Sequence, residues 1–203
     1  MSSRSRLPGF VRRSLKGVMN GLAVDSTNVT LGADFNAGRG AIISAPHALH
    51  IGNCVSFGPR SVVQVDGSIG DFVMIGMNVH IVGRDDHAID QVGVPMLLST
   101  WVGDREEMPR DKVTIGDDVW VGASAVILSG VTVGRGSVIA AGSVVTTDTD
   151  DYSMNVGVPA RKIGERFVDD ATRTMHSAAL DELRASRYPS VSDAGGKKLR
   201  VLR

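Results

Sequence analysis

The sequence predicts an all-β chain, its short strands wound into triangular coils that stack as a prism. Three observations carry that expectation. Aliphatic or aromatic side chains recur every six residues, at Ile51, Phe57, Val63, Ile69, Ile75 and Ile81, and again at Ile115, Val121, Ile127, Val133 and Ile139. Glycine follows in most of these hexads, at Gly52, Gly58, Gly70, Gly76, Gly116, Gly122 and Gly134. The composition pairs 24 glycines with only 4% aromatic residues, which suits narrow coils with many corners and not a helical bundle. A period of six matches neither the turn of a helix nor the alternation of a single strand. Internal repeats stack into a core that no single repeat could bury alone.

Taken in order, residues 1–22 are basic on one side (Arg12, Arg13, Lys16) and apolar on the other (Phe10, Val11, Leu15, Val18, Met19, Leu22). This reads as a short helix capping the first coil, whose edge would otherwise offer unpaired backbone groups. Weak attachment to a membrane surface is the alternative. The coil domain is expected over 23–163. It opens with a less regular turn at Leu31, Ala37 and Ile43, and two extra residues precede Ile51. The regular coils fall in 51–83 and 113–147, each stacked about 4.8 Å from the next, with glycine expected to take the corner conformations. A long loop, 84–112, interrupts the rhythm. Its Pro95, Leu97, Leu98 and Trp101 are too apolar for a purely solvated excursion, and loops of this length are commonly functional. Beyond the prism, Phe167, Ala171, Met175, Ala178 and Leu183 predict an amphipathic helix within 164–188 that packs on the prism or a neighbouring subunit. Pro189 ends it, and 189–203 is a basic tail.

Lys plus Arg and Asp plus Glu each number 22, so no net field recruits nucleic acid. The one cysteine, Cys54, leaves no internal disulfide framework. No stretch approaches the ~20 apolar residues that span a bilayer, and the N-terminus lacks the pattern of a secretory signal. The reading is a cytoplasmic protein.

The hexads "IGNCVS FGPRSV VQVDGS IGDFVM IGMNVH" and "IGDDVW VGASAV ILSGVT VGRGSV IAAGSV" resemble those of the hexapeptide acyltransferases over residues ~29–163. The resemblance implies a left-handed parallel β-helix assembled as a homotrimer, with acetyl-CoA as acyl donor. "GRDDHAIDQVG" is similar to the loop entry of the sugar and xenobiotic O-acetyltransferase branch, where the loop histidine is the general base; that role would fall to His87. Chemistry agrees, because an attacking hydroxyl must shed a proton and imidazole, with an ordinary pKa near ~6.5, suits that task. Asp85, Asp86, Asp90 or a backbone carbonyl would orient the ring.

The stretch from "VTIGDDVW" to "VPARKI" resembles the end of acetyl-CoA-dependent family members. On that basis Trp120 would line the active-site tunnel, the Ala123 N–H would face the thioester carbonyl, and Ala141 would contact the pantetheine arm. Thr146, Thr147, Arg161 and Lys162 would meet the far end of the coenzyme, the two cations suiting its phosphates. Many relatives carry lysine where this chain has Thr147. Asp66 matches roughly an acidic residue that binds acceptor hydroxyls, and Asp85 and Asp86 are further candidates for that contact. The function implied is acetyl transfer to a hydroxyl of a sugar or cell-surface polysaccharide precursor, with a hydroxylated antibiotic as the alternative acceptor. The spacing of His47, His50, His80 and His87 departs from that of the zinc-binding γ-type carbonic anhydrases, so no metal is expected. A metal-dependent enzyme and a non-catalytic scaffold are the remaining alternatives.

Overall fold

The computed structural model describes residues 17–25 and 27–189. Among the described residues seventeen strands form three sheets, the sides of a prism, parallel throughout except where β16 meets β17. The first sheet takes β1 (Val29–Leu31), β4 (Leu49–Ile51), β7 (Asp66–Ile69), β10 (Lys112–Ile115) and β13 (Val131–Val133). The second takes β2 (Asn36–Ala37), β5 (Ser56–Phe57), β8 (Met74–Ile75), β11 (Trp120–Val121) and β14 (Val138–Ile139), extended by β16 (Ser153–Gly157) and β17 (Ala160–Glu165). The third takes β3 (Ile42–Ser44), β6 (Val62–Gln64), β9 (His80–Val82), β12 (Val126–Leu128) and β15 (Val144–Val145). Successive strands visit successive sides, which makes a parallel β-helix, left-handed as expected.

Register locates the two insertions into the repeat. The chain advances 18 residues per coil from Leu49 to Gly67 and from Val113 to Val131. It advances 20 from Val29 to Leu49, the extra residues falling at the corner 45–48, as the spacing before Ile51 predicts. It advances 46 from Gly67 to Val113, because the loop leaves from the same corner two coils further on, between β9 and β10.

The repeating aliphatics fill the interior. Ile51, Val63, Ile81, Val121, Ile127, Val133 and Ile139 are all fully buried, and Phe35 meets Phe57 with ring centroids 5.9 Å apart. Hydroxyls in this core find partners within the coils; Ser61 Oγ donates to the carbonyls of Gly58 and Gly76.

The repeat glycines have a different reason from the one expected. The left-handed corner conformation falls mainly on other residues, Asp34, Cys54, Phe72 and Asp118 in one column and Arg60, Asn78 and Ser124 in another. None of the seven second-place glycines has positive φ. Their constraint is the neighbouring coil: a Cβ on Gly58 would lie 2.4 Å from the Met77 nitrogen, and one on Gly122 2.4 Å from the Ala141 nitrogen. Stacked backbones leave no room for a methyl group.

The helix α1 (17–23) meets the opening edge. Asn20 Nδ2 donates to the Phe35 carbonyl (3.1 Å), and the Ala37 N–H donates to Asn20 Oδ1 (2.9 Å), so one amide side chain satisfies a donor and an acceptor beside β2. Arg12, Arg13, Lys16 and the tail beyond Pro189 lie outside the described residues. At the other end a β16–β17 hairpin, unforeseen in the sequence, turns through a cis Val158–Pro159 bond. Arg166 anchors it by donating to Asp118 Oδ2 (2.5 Å) and the Gly136 carbonyl (3.1 Å). Residues from Phe167 onward form a separate unit, whose helix α2 (Asp170–Arg187) is capped by Asp169 accepting from the Thr172 N–H at 2.7 Å. No helix among the described residues is long and apolar enough to cross a membrane.

Candidate active site

The loop is built, not slack. Its two ends run antiparallel, with a bridge between His87 and Trp101, Ala88 N–H donating to the Thr100 carbonyl (2.9 Å) and Val102 N–H to the Asp86 carbonyl (2.8 Å). Three 3-10 turns follow one another at Met96–Leu98, Val102–Asp104 and Pro109–Asp111. The base is closed by Arg105, whose guanidinium donates to both oxygens of buried Asp111 (2.6 and 2.8 Å). The paired guanidinium holds the Asp111 carboxyl below its ordinary value, with the Met108 N–H adding to the effect. Ile89, Val92, Leu97 and Leu98 are exposed on this loop.

His87 is half-buried and lines a cleft of about 360 Å³ together with Asp85, Ile89, Asp90, Arg105 and Arg110. Its Nδ1 lies 3.2 Å from the carbonyl of buried Ser99. A carbonyl can only accept, so that contact puts the proton on Nδ1 and leaves Nε2 as the basic nitrogen. Of the orienting groups left open by the sequence, the structure selects this carbonyl. Asp85 instead faces Arg110 (3.5 Å), and Asp86 lies exposed with Oδ1 against Gly83.

The residues expected around the coenzyme divide between corners. Trp120 is half-exposed on β11, flanked in register by Met74 and Val138. Ala123 and Ala141 occupy the next corner one coil apart, with Gly142 N–H donating to the Ala123 carbonyl (2.9 Å). Neither the Ala123 nor the Ala141 N–H has an acceptor among the described residues. This pair of open donors, beside an exposed indole, fits the amide-rich arm of an acyl-CoA. Thr146 and Thr147 lie at the loop corner instead, where Arg84 Nη2 donates to the Thr146 carbonyl (2.8 Å).

One expectation is corrected, and a second residue proves to be already paired. Asp66 does not present itself to an acceptor: it is 0% exposed, and its oxygens accept from the N–H groups of His47 (2.7 Å) and Ala48 (2.9 Å) and from the His47 ring (2.8 Å). Lys162 pairs with Glu165 (2.5 Å) and Asp150 (2.9 Å), which raise its pKa. Arg161 donates to the Ala160 carbonyl and meets no carboxylate among the described residues. Outside the expectations stand Ser99, Arg105, Asp111 and His47. Only the last left a trace in the sequence, as part of the two-residue insertion before Ile51.

Residues 112–147, within the corner-stacked prism, match the family model described as bacterial transferase hexapeptide (six repeats). The chain is thus similar to the hexapeptide-repeat acyltransferases. It is 34% identical over 111 residues to a chloramphenicol acetyltransferase of Agrobacterium fabrum, covering 51% of this chain and 53% of that one. With the galactoside O-acetyltransferase of Escherichia coli it shares 36% identity over 119 residues, 58% of this chain and 54% of the relative. The chain thus spans about half the length of these curated relatives. Among solved structures, a galactoside acetyltransferase in complex with coenzyme A superposes with a TM-score of 0.52 at 27% identity, covering 83% of this chain and 76% of that one. AntD, an N-acyltransferase from Bacillus cereus, has a TM-score of 0.59 at 19% identity over 85% of this chain and 96% of its own, a likeness of fold.

Proposed function

We propose that this protein is an acetyl-CoA-dependent O-acetyltransferase with His87 as general base. The observation that carries the reading is the Nδ1 contact to Ser99, which leaves the Nε2 lone pair available beside an open cleft. In the proposed reaction Nε2 takes the proton of an acceptor hydroxyl as its oxygen attacks the thioester carbonyl carbon. The C–S bond then breaks, and the thiolate recovers the proton from the imidazolium. The Ala123 N–H would stabilise the negative oxygen formed in between, a contribution worth roughly 10²–10³ in rate. Coenzyme A serves as carrier of the acyl group, and no metal has a part in the scheme.

Assembly belongs to the same reading. Ala123 stands at the corner that joins β11 to β12, whereas the loop departs from the corner that follows β9, at the far end of the adjoining side. One chain carries the proposed base and the proposed oxyanion donor on elements from different corners, which supports a reading in which a second copy brings them together. A homotrimer does so three times over. The exposed apolar tip, Leu97 and Leu98 above all, supplies a surface for that contact.

The acceptor class we favour is a sugar hydroxyl of a cell-surface polysaccharide precursor, modified in the cytoplasm. Asp85 and Asp90 at the cleft offer acceptors for sugar hydroxyl groups. A hydroxylated antibiotic is the second reading, supported by the identity with chloramphenicol acetyltransferase and by Ile89 on the cleft wall. Thiol release from acetyl-CoA, measured with a panel of sugars, nucleotide-linked sugars and chloramphenicol, tests both. His87→Ala should lower turnover by about 10²–10⁴-fold; equal turnover in the two proteins removes His87 from the reaction.

A further inference from the structure

A second histidine is bound at both ends, far from where the sequence draws attention. His47 sits in the inserted corner 45–48, on the same edge of the prism from which the loop departs. On the prism side its Nδ1 is 2.8 Å from Asp66 Oδ2, while Asp66 Oδ1 accepts from the backbone at His47 and Ala48. On the loop side its Nε2 is 2.8 Å from the carbonyl oxygen of Arg105, 58 residues further along. A carboxylate and a carbonyl are both acceptors, and a neutral imidazole carries one N–H. Both contacts are hydrogen bonds only when both ring nitrogens are protonated.

Arg105 passes this anchorage onward. Its guanidinium is spent on Asp111 at the loop base, and the residue forms part of the wall of the His87 cleft. The connection runs from a buried carboxylate, through an imidazolium, to the backbone beside the proposed base.

We propose that His47 is a positioning residue: its imidazolium, seated on Asp66, clamps the Arg105 carbonyl and so fixes the wall of the His87 cleft, and the clamp opens when His47 loses its second proton. This rests on the reading of His87 as the base. The charged groups facing His47 are Asp66 from the prism and Glu107 from the loop, their ligand-type atoms all within 4.8 Å of one another. Glu107 is itself paired with Lys112 (2.9 Å), and the Arg105 guanidinium is turned to Asp111. The hydrogen bond to Asp66 raises the His47 pKa above its ordinary 6.5, against the opposing effect of burial; the Arg105 carbonyl and the charges of Asp66 and Glu107 add to it. A raised histidine pKa places the clamp's contribution fully at pH below the unfolded value and removes it as pH climbs through the folded one. Loss of the clamp therefore predicts an alkaline limb of the activity profile that belongs to His47.

The test compares turnover against pH, and hydrogen exchange of residues 84–111 relative to the coils, in the wild type, His47→Ala and His47→Gln. Glutamine can present an N–H where Nε2 stands and does not titrate. His47→Ala should lower kcat by about ten- to a hundred-fold, the scale of a base misplaced by up to an ångström, with KM for acetyl-CoA unchanged and loop exchange faster. His47→Gln should keep most of kcat and lose the alkaline limb. In the wild type, loop exchange corrected for intrinsic rates should quicken through that same limb. An alkaline limb that survives in His47→Gln, or loop exchange that ignores both substitution and pH, overturns the clamp. Activity lost to a chelator and restored by zinc would overturn it also, making His47, Asp66 and Glu107 a metal site. If the wild type transfers acetyl to no acceptor, the acetyltransferase reading falls, and the exchange measurement, which needs no turnover, still decides the clamp.

Discussion

A single methyl group measures how closely these coils are stacked. At Gly122 it would fall 2.4 Å from the Ala141 nitrogen, a contact that must displace backbone, whereas at Gly164 nothing lies within 4 Å. Gly122→Ala should therefore cost about 1–3 kcal/mol by overpacking, and Gly164→Ala should stay within about 0.5 kcal/mol. Denaturant midpoints of the two variants check this, and equal midpoints would remove the steric account of the repeat glycine. Asp111 supplies a pH dependence at the same scale. Its pKa is depressed by Arg105, so the stabilisation exists above the ordinary carboxylate value of 3.8 and disappears as pH falls through the depressed one. An acid titration of the folded protein should show this loss, and Arg105→Ala should abolish it.

At the scale of the element, the loop owes its order to a few polar ties more than to apolar burial. Val102 is its one buried large aliphatic, while Leu97, Leu98 and Val92 are strongly exposed. Arg105 is the most heavily engaged residue, with its side chain on Asp111 and its carbonyl on His47. Removing that guanidinium leaves Asp111 buried without its partner, which is far costlier than losing an exposed pair. Arg105→Ala should thus speed proteolytic cleavage within 84–111 several-fold while the coils remain resistant. Cleavage at wild-type rate would show that apolar contacts hold the loop after all.

For the whole molecule, stability is the sum of coil-on-coil contacts, and the chemistry proposed here needs a second chain. Serine at both Leu97 and Leu98 should leave the β-sheet signal of the prism intact. It should also shift sedimentation from trimer toward monomer and abolish acetyl transfer along with assembly. A wild-type monomer that is fully active would defeat the argument from separated corners.

The sequence alone determined the prism, because a side chain every sixth position has only one interior to enter and the same constraint acts on each coil. It also located the interruption, since a break in so strict a rhythm is visible without coordinates. It misjudged the repeat glycines: spacing reveals that a small residue is needed but not whether backbone angle or a neighbouring strand demands it. Tertiary structure alone decided the partners. Asp66 and His47 are 19 residues apart and His47 and Arg105 58, distances over which no local pattern survives. Only the stacking of one corner over another brings them into hydrogen-bonding range, and it is there that a residue expected to bind substrate becomes the seat of a clamp.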